Sequence, residues 1–222
     1  MEKGKLIVIE GAGDGIGKTT QVGLLTEKYA AAGRPLYHHH FPSYGTVQGA
    51  PVEEYLRGAY GDPKTLSPYF VNGLYALDRA VTFHTLLRGK LDAGMTVLLD
   101  RYVTSSLIYQ SAMMESEAEK REFVRYVTEY EYGRLGVPEP DRVVFLHVPP
   151  EVSEKLRAAR NGGGADAHEA DGEFMRRVYE NSLFMADLLS WSVVECAPGG
   201  VMRAPEDISR EIASLAGPEA KL

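Results

Sequence analysis

The chain of 222 residues has a single cysteine, Cys196, so no internal disulfide can form, and a lone thiol suits a reducing cytoplasm. No apolar run approaches the ~18–20 residues of a membrane span. The N-terminus shows no signal-peptide pattern, so a soluble cytoplasmic protein is expected. An excess of base is also missing: 24 Lys and Arg stand against 31 Asp and Glu, a net charge of −7. That balance excludes a surface built for non-specific nucleic acid or anionic lipid. Any anionic ligand must be held by a local constellation. Internal repeats and linker-like stretches are lacking too, which points to one domain over residues 1–217 and a frayed tail at 218–222.

What is present is an alternation of short apolar runs with longer amphipathic ones. Residues 5–10 (KLIVIE), 36–41, 96–100 (TVLLD), 142–148 (RVVFLHV) and, more weakly, 193–196 read as strands. Their continuous Val, Ile and Leu content fits strands covered on both faces. Residues 17–32, 68–92, 116–135 and 172–189 read as helices. Alternation of this kind predicts an α/β fold, a three-layer phosphate-loop architecture with a five-stranded parallel sheet between helices. Residues 43–49 and the small, polar stretch 161–172 (NGGGADAHEADG) read as mobile loops.

The sharpest local signal is Gly11-Ala12-Gly13-Asp14-Gly15-Ile16-Gly17-Lys18-Thr19-Thr20, between the first strand and the first helix. Glycines let backbone N–H groups turn inward around phosphate oxygens, and the helix N-terminus adds partial positive charge. Gly13, Gly15, Ile16, Gly17, Lys18, Thr19 and Thr20 would hold a nucleotide's phosphates, with Lys18 on the β- and γ-phosphates and the Thr19 hydroxyl on Mg²⁺, a loop that kinases, GTPases and motor ATPases share. Five residues, rather than the usual four, separate Gly11 from Gly17. Either the loop has an extra residue near Gly13, or Ala12 replaces its first glycine. Asp100 and Arg101 end the third strand, at the edge where open parallel sheets bind ligands. Asp100 could hold Mg²⁺ through water or receive a proton, and Arg101 could grip a second phosphate. An ordinary strand-end ion pair is the plainer alternative.

From Asp100 the sequence runs Asp-Arg-Tyr-Val-Thr-Ser-Ser-Leu-Ile-Tyr-Gln to Gln110, which closely resembles the DRY-x-x-S-S-x-x-Y-Q signature of thymidylate kinases. Asp14 to Gln21 resembles that family's DGxGKTTQ. Phe41-Pro42 after the second strand, Tyr75 four residues before Arg79, Pro140-Asp141 before the fourth strand, and Arg157 and Arg160 before a lid-like segment (about 157–172) stand in the family's order. The resemblance covers roughly residues 5–190. It implies ATP + dTMP → ADP + dTDP with Mg²⁺, on a homodimer without nucleic-acid or membrane partners.

The resemblance also distributes roles. Tyr75 would stack on thymine while Arg79 bonds a base carbonyl, both on one helix face. Asp14 would bond the sugar 3′-hydroxyl, and Ser105, Tyr109 and Gln110 would contact base and sugar, an amide suiting the donor–acceptor edge of thymine. Phe41 and Pro42 complete the acceptor site. Position 15 is glycine where some members have arginine, so the lid should supply the catalytic cation through Arg157 and Arg160. Tyr44 stands where many members hold the acceptor phosphate with an arginine, which leaves that load to Arg101, with Arg57 a further candidate. His168 and Glu169 are lid residues that either reach the nucleotide or are simply exposed. Two other enzyme-or-not alternatives share these motifs: a deoxynucleoside kinase acting on an uncharged hydroxyl, and a nucleotide-binding protein without turnover. His38-His39-His40 carries too few same-face ligands for Zn²⁺.

Overall fold

A computed structural model describes residues 3–159 and 172–216. Five parallel strands, β1 (Leu6–Glu10), β2 (Leu36–His40), β3 (Thr96–Asp100), β4 (Arg142–His147) and β5 (Ser192–Glu195), form one sheet in the order β2-β3-β1-β4-β5. Between them run α1 (Lys18–Ala31), α2 (Ala50–Leu56), α3 (Pro68–Thr82), α4 (Arg88–Asp92), α5 (Val103–Tyr109), α6 (Glu117–Thr128), α7 (Pro150–Ala159), α8 (Gly172–Leu188) and, after β5, α9 (Pro205–Leu215). Every residue of β1 and β3 is buried, because both pleated faces are covered. On one face Ile7, Ile9, Leu98, Val144 and Leu146 pack against Val22, Leu25 and Tyr29 of α1 and Ile208 and Ile212 of α9. On the other, Leu6, Val8, Val97, Leu99 and Phe145 meet Ala80, Leu107, Phe123, Val178 and Met185 from α3, α5, α6 and α8. Each such Val, Leu, Ile or Phe gains about 1.5–3 kcal/mol by leaving water, which fixes the layers.

This order places a topological switch point between β1 and β3. The connection from β1 leads toward β2, and the chain leaving β3 crosses to β4 on the opposite side. Ligands of open parallel sheets settle in the crevice that such divergence opens at the carboxyl ends. The register pairs Ile9 with Asp100, so the glycine loop after Glu10 and the Asp100-Arg101 turn emerge side by side.

Three departures from the sequence reading have physical causes. The helix expected over 68–92 is interrupted: α3 passes into a π-turn at Phe83–Leu87 before α4. The stretch 43–49 is turned but anchored, since the Ser43 N–H donates to the buried Asp78 at 2.7 Å and Thr46 donates its hydroxyl to the Ser43 carbonyl at 2.6 Å. β2 lies at the sheet edge, half covered, so its Tyr-His-His-His run is tolerated there. α6 opens on acidic residues, Glu117 and Glu119, and Ser116 and Glu119 form a reciprocal capping box. No helix among the described residues is long and apolar enough to cross a membrane.

Candidate active site

The phosphate loop leaves β1 at Glu10 and enters α1 at Gly17, whose φ of 97° no side-chain-bearing residue holds without strain. Gly11 is required for a different reason. A Cβ there would lie 2.2 Å from Ile16 Cδ1 and 3.0 Å from the Leu146 carbonyl oxygen. Ala12 is not among the positive-φ residues and its methyl packs toward the core, so an alanine in place of the first glycine costs no backbone strain. Lys18 is buried, its ammonium donating to the Gly13 carbonyl at 2.7 Å and lying 3.7 Å from Asp14. Burial, and then the Arg101 charge, pull its pKa below the ordinary lysine value. A buried ammonium held this way gains when anionic oxygens arrive. Thr19 and Thr20 open α1 with exposed side chains.

Arg101 turns the chain out of β3 with a φ of 67°, a left-handed conformation that costs a non-glycine residue about 1 kcal/mol or more. Its amide is tied to the Ile9 carbonyl at 3.2 Å. The turn sends its guanidinium to Asp14 at 2.5 Å and to the Tyr109 hydroxyl at 3.3 Å. Tyr109 also accepts the Gly13 N–H at 2.9 Å, so its own proton stays available to a ligand oxygen. Burial pushes the Tyr109 pKa up, which keeps that proton in place. The Arg101 charge, with Lys18 behind it, holds the Asp14 carboxyl well below the usual range. Asp100 is buried and one of its carboxylate oxygens, Oδ1, has no hydrogen-bond partner.

Two buried carboxylates organise this site, and neither was singled out from the sequence. Glu10, fully buried, accepts the Gly11 N–H at 3.0 Å and the Thr104 and Ser105 hydroxyls at 2.7 Å each, with Arg101 4.0 Å away. It therefore fastens the start of the phosphate loop to the first turn of α5. A carboxylate closing an apolar strand was the same signal that exposed Asp100. Glu131, in the π-turn Glu129–Arg134 that follows α6, pairs with Arg79 through two bonds of 2.6 and 2.7 Å. No motif marks it.

All nine residues expected around the acceptor — Asp14, Phe41, Pro42, Tyr75, Arg79, Arg101, Ser105, Tyr109 and Gln110 — line one cavity at the carboxyl edge, together with His40, Tyr44 and Tyr102. The Phe41–Pro42 peptide bond is cis. Tyr75 lies beneath the Arg79 guanidinium, 6.0 Å from ring centre to Cζ. Gln110 is buried and its side-chain carbonyl has no partner. Ser105 faces this cavity while its hydroxyl is donated to Glu10. Tyr44 stacks on His40 at the rim. Arg57 points elsewhere: both its bonds go to Glu53 and Glu54 of its own helix, and it does not line the cavity. A second cavity opens on the other flank of the phosphate loop, where Ala12 and Gly13 meet Pro149 and Ser153 near α7 and Met175 and Tyr179 of α8. Arg157 falls on α7. The Arg157 side chain, Arg160, His168, Glu169 and the tail at 218–222 lie outside the described residues. Among the described residues no three His, Cys, Asp or Glu side chains cluster as metal ligands.

A parallel sheet with a glycine loop and lysine at its first strand end, an Asp-Arg turn at its neighbour, and a cavity on each side of the loop defines a phosphate-loop nucleotide phosphotransferase. The family model described as thymidylate kinase matches residues 9–198. Similar curated proteins include a thymidylate kinase of Mycobacterium tuberculosis, 39% identical over 177 residues, covering 78% of this chain and 81% of that one. A thymidylate kinase of Pelotomaculum thermopropionicum is 38% identical over 186 residues, covering 83% and 81%. A probable thymidylate kinase of Pyrobaculum aerophilum is 31% identical over 209 residues, covering 94% of each. The chain belongs to the thymidylate kinase family.

Proposed function

We propose that this protein transfers the γ-phosphoryl group of ATP to the phosphate of dTMP, giving dTDP and ADP. The observation that carries the reading is the convergence of the family's acceptor-site residues on one cavity, beside a phosphate loop whose opposite flank opens on another. Two nucleotides entering from those sides would meet at the loop. An oxygen of the acceptor phosphate forms the new bond to the γ-phosphorus while the bond to the β–γ bridging oxygen breaks and ADP leaves.

The protein's part is placement and charge. Lys18 neutralises the donor's terminal phosphates, and the loop amides cradle them. Arg101 grips the acceptor phosphate, with the protonated Tyr109 hydroxyl beside it as a donor. Asp14 takes the sugar hydroxyl. Tyr75 offers a ring face to the base. Arg79 with a donor and Gln110 with its unpartnered carbonyl present complementary groups to an imide edge. Arg157 and Arg160 supply the lid's cations as the site closes and excludes water.

The residues present fit Mg²⁺: a buried carboxylate with a free oxygen, Asp100, and the Thr19 hydroxyl at the loop's end are both hard oxygen donors. When bound, the ion supplies neutralisation of the transferring phosphates. We further place the enzyme in the cytoplasm as a homodimer, readings that rest on the buried lone thiol and on the family resemblance.

A coupled ADP-release assay with dTMP and thymidine in parallel tests the assignment. ADP release with dTMP and Mg-ATP, and none with thymidine, is expected; activity on thymidine alone defeats it, and so does tight ATP binding without turnover of any monophosphate.

A further inference from the structure

Arg79 sits in the wall of the acceptor cavity, yet it is almost entirely occupied by the protein itself. Its Nε donates to one oxygen of Glu131 at 2.6 Å and its Nη2 to the other at 2.7 Å. Nη2 also donates to the Ser106 hydroxyl at 2.9 Å. Both members of the pair are buried, Arg79 at 1% exposure and Glu131 at 0%. A guanidinium has five protons on three nitrogens. Nε and Nη2 are spoken for, and Nη1 makes one long bond, 3.4 Å to the Tyr102 carbonyl. Nη1 is thus the one nitrogen with a donor to spare.

We infer that Glu131 is a positioning residue for base selection: its two-oxygen grip fixes the rotation of Arg79 so that Nη1 is presented to the base, in the cavity that Gln110, with its unpartnered carbonyl, also lines. The inference rests on the functional reading above and deepens it. A carboxylate is the one side chain that accepts from Nε and Nη2 together in a plane, which is why the pairing orients as well as neutralises. Burial alone would pull the Arg79 pKa down, and Glu131 reverses this, so the arginine stays charged inside the wall. A fixed donor beside a fixed acceptor favours a pyrimidine with a carbonyl next to a ring N–H. A cytosine ring, with an amino group in place of that carbonyl, would set donor against donor and leave both buried groups unpaired. Glu131 does not line the cavity and lies in a different segment from the residues that do. It acts through Arg79 alone.

Glu131→Gln tests this. An amide accepts at one atom and donates at the other, so the planar grip is lost while the volume is kept. The KM for dTMP should rise about tenfold, the kcat should stay within about threefold, and the KM for ATP should not move. The ratio of kcat/KM for dTMP to that for dCMP should fall about tenfold. A merely structural role would lower the active fraction for both acceptors alike and leave that ratio intact, and this outcome overturns the inference. Should Glu131→Gln fail to fold, Glu131→Asp keeps the charge pair but withdraws it by one methylene. It should raise the dTMP KM several-fold and reduce the same ratio; an unchanged ratio overturns the inference equally. A wild-type protein inactive on dTMP would instead sink the functional reading, and dTMP against dCMP binding measured by calorimetry on wild type and variant would still decide the role of Glu131.

Discussion

The surroundings of Lys18 suit an anionic ligand better than they suit the lysine itself. It is buried, its charge is disfavoured by burial and by Arg101, and its bond to the Gly13 carbonyl is a weaker match than a polyanion. Lys18→Ala should therefore lower kcat by about 10²-fold or more through lost charge stabilisation, while the thermal midpoint stays near that of the wild type or rises. A variant retaining near-normal turnover would remove Lys18 from the assigned role. At this scale the sequence was legible wherever a residue type is tied to a spacing. The glycine loop, Asp100-Arg101 and the Tyr109-Gln110 pair announced themselves because their neighbours in the chain are also their neighbours in the site. Glu10 and Glu131 did not. Glu10 works through Thr104 and Ser105, which are more than ninety residues away in the chain, and Glu131 through Arg79, 52 residues away. Partnerships across such separations leave no spacing to read. Arg57 is the opposite case: its partners, Glu53 and Glu54, stand four and three residues before it, and it does not line the cavity.

Among the elements, β2 carries a testable burden. His39 is partly buried, with its Nε2 3.0 Å from the Ser43 hydroxyl, and burial lowers its pKa, with His38 and His40 adding repulsion against the opposing pull of Asp78. His38 is shifted in the same direction, also by burial. A histidine whose pKa is lower folded than unfolded binds fewer protons in the native state, so stability falls as pH drops below the unfolded value of about 6.5. Urea unfolding midpoints should decline between pH 7.5 and 5.5, and His39→Gln should make that decline shallower. Equal slopes in the two proteins would assign the acid sensitivity elsewhere. The strand ends were read to within a residue because β1, β3 and β4 are apolar runs bounded by glycine, proline and charge. The π-turns at Phe83–Leu87 and Glu129–Arg134 left no such trace, since an inserted residue shifts the helical phase without changing composition. The last helix, α9, is absent from the helices read above although its marks are ordinary ones: Pro205 at the start, Glu206 and Asp207 in the first turn, and a buried stripe of Ile208, Ser209, Ile212 and Ala213.

The molecule as a whole divides its surfaces by function. The carboxyl edge of the sheet holds both cavities and the phosphate loop, the face the proposed reaction uses. α3 contributes Tyr75 and Arg79 to that edge and turns a different stripe outward. Phe70 and Leu77 are 48% and 50% exposed, with Leu74 half-buried between them, a spacing of four and three residues that aligns them on one face. Large apolar side chains aligned this way favour association over hydration. As the seam of the proposed homodimer, this stripe would brace each subunit's α3, the helix of Tyr75 and Arg79, against its partner, and would link oligomeric state and dTMP affinity through one element. Sedimentation equilibrium should then give twice the chain mass of 24.4 kDa for the wild type and the single mass for Leu77→Glu, because a buried pair of carboxylates across a two-fold axis is strongly unfavourable. A wild-type monomer would refute the dimer, and a dimer that survives Leu77→Glu would move its seam off α3.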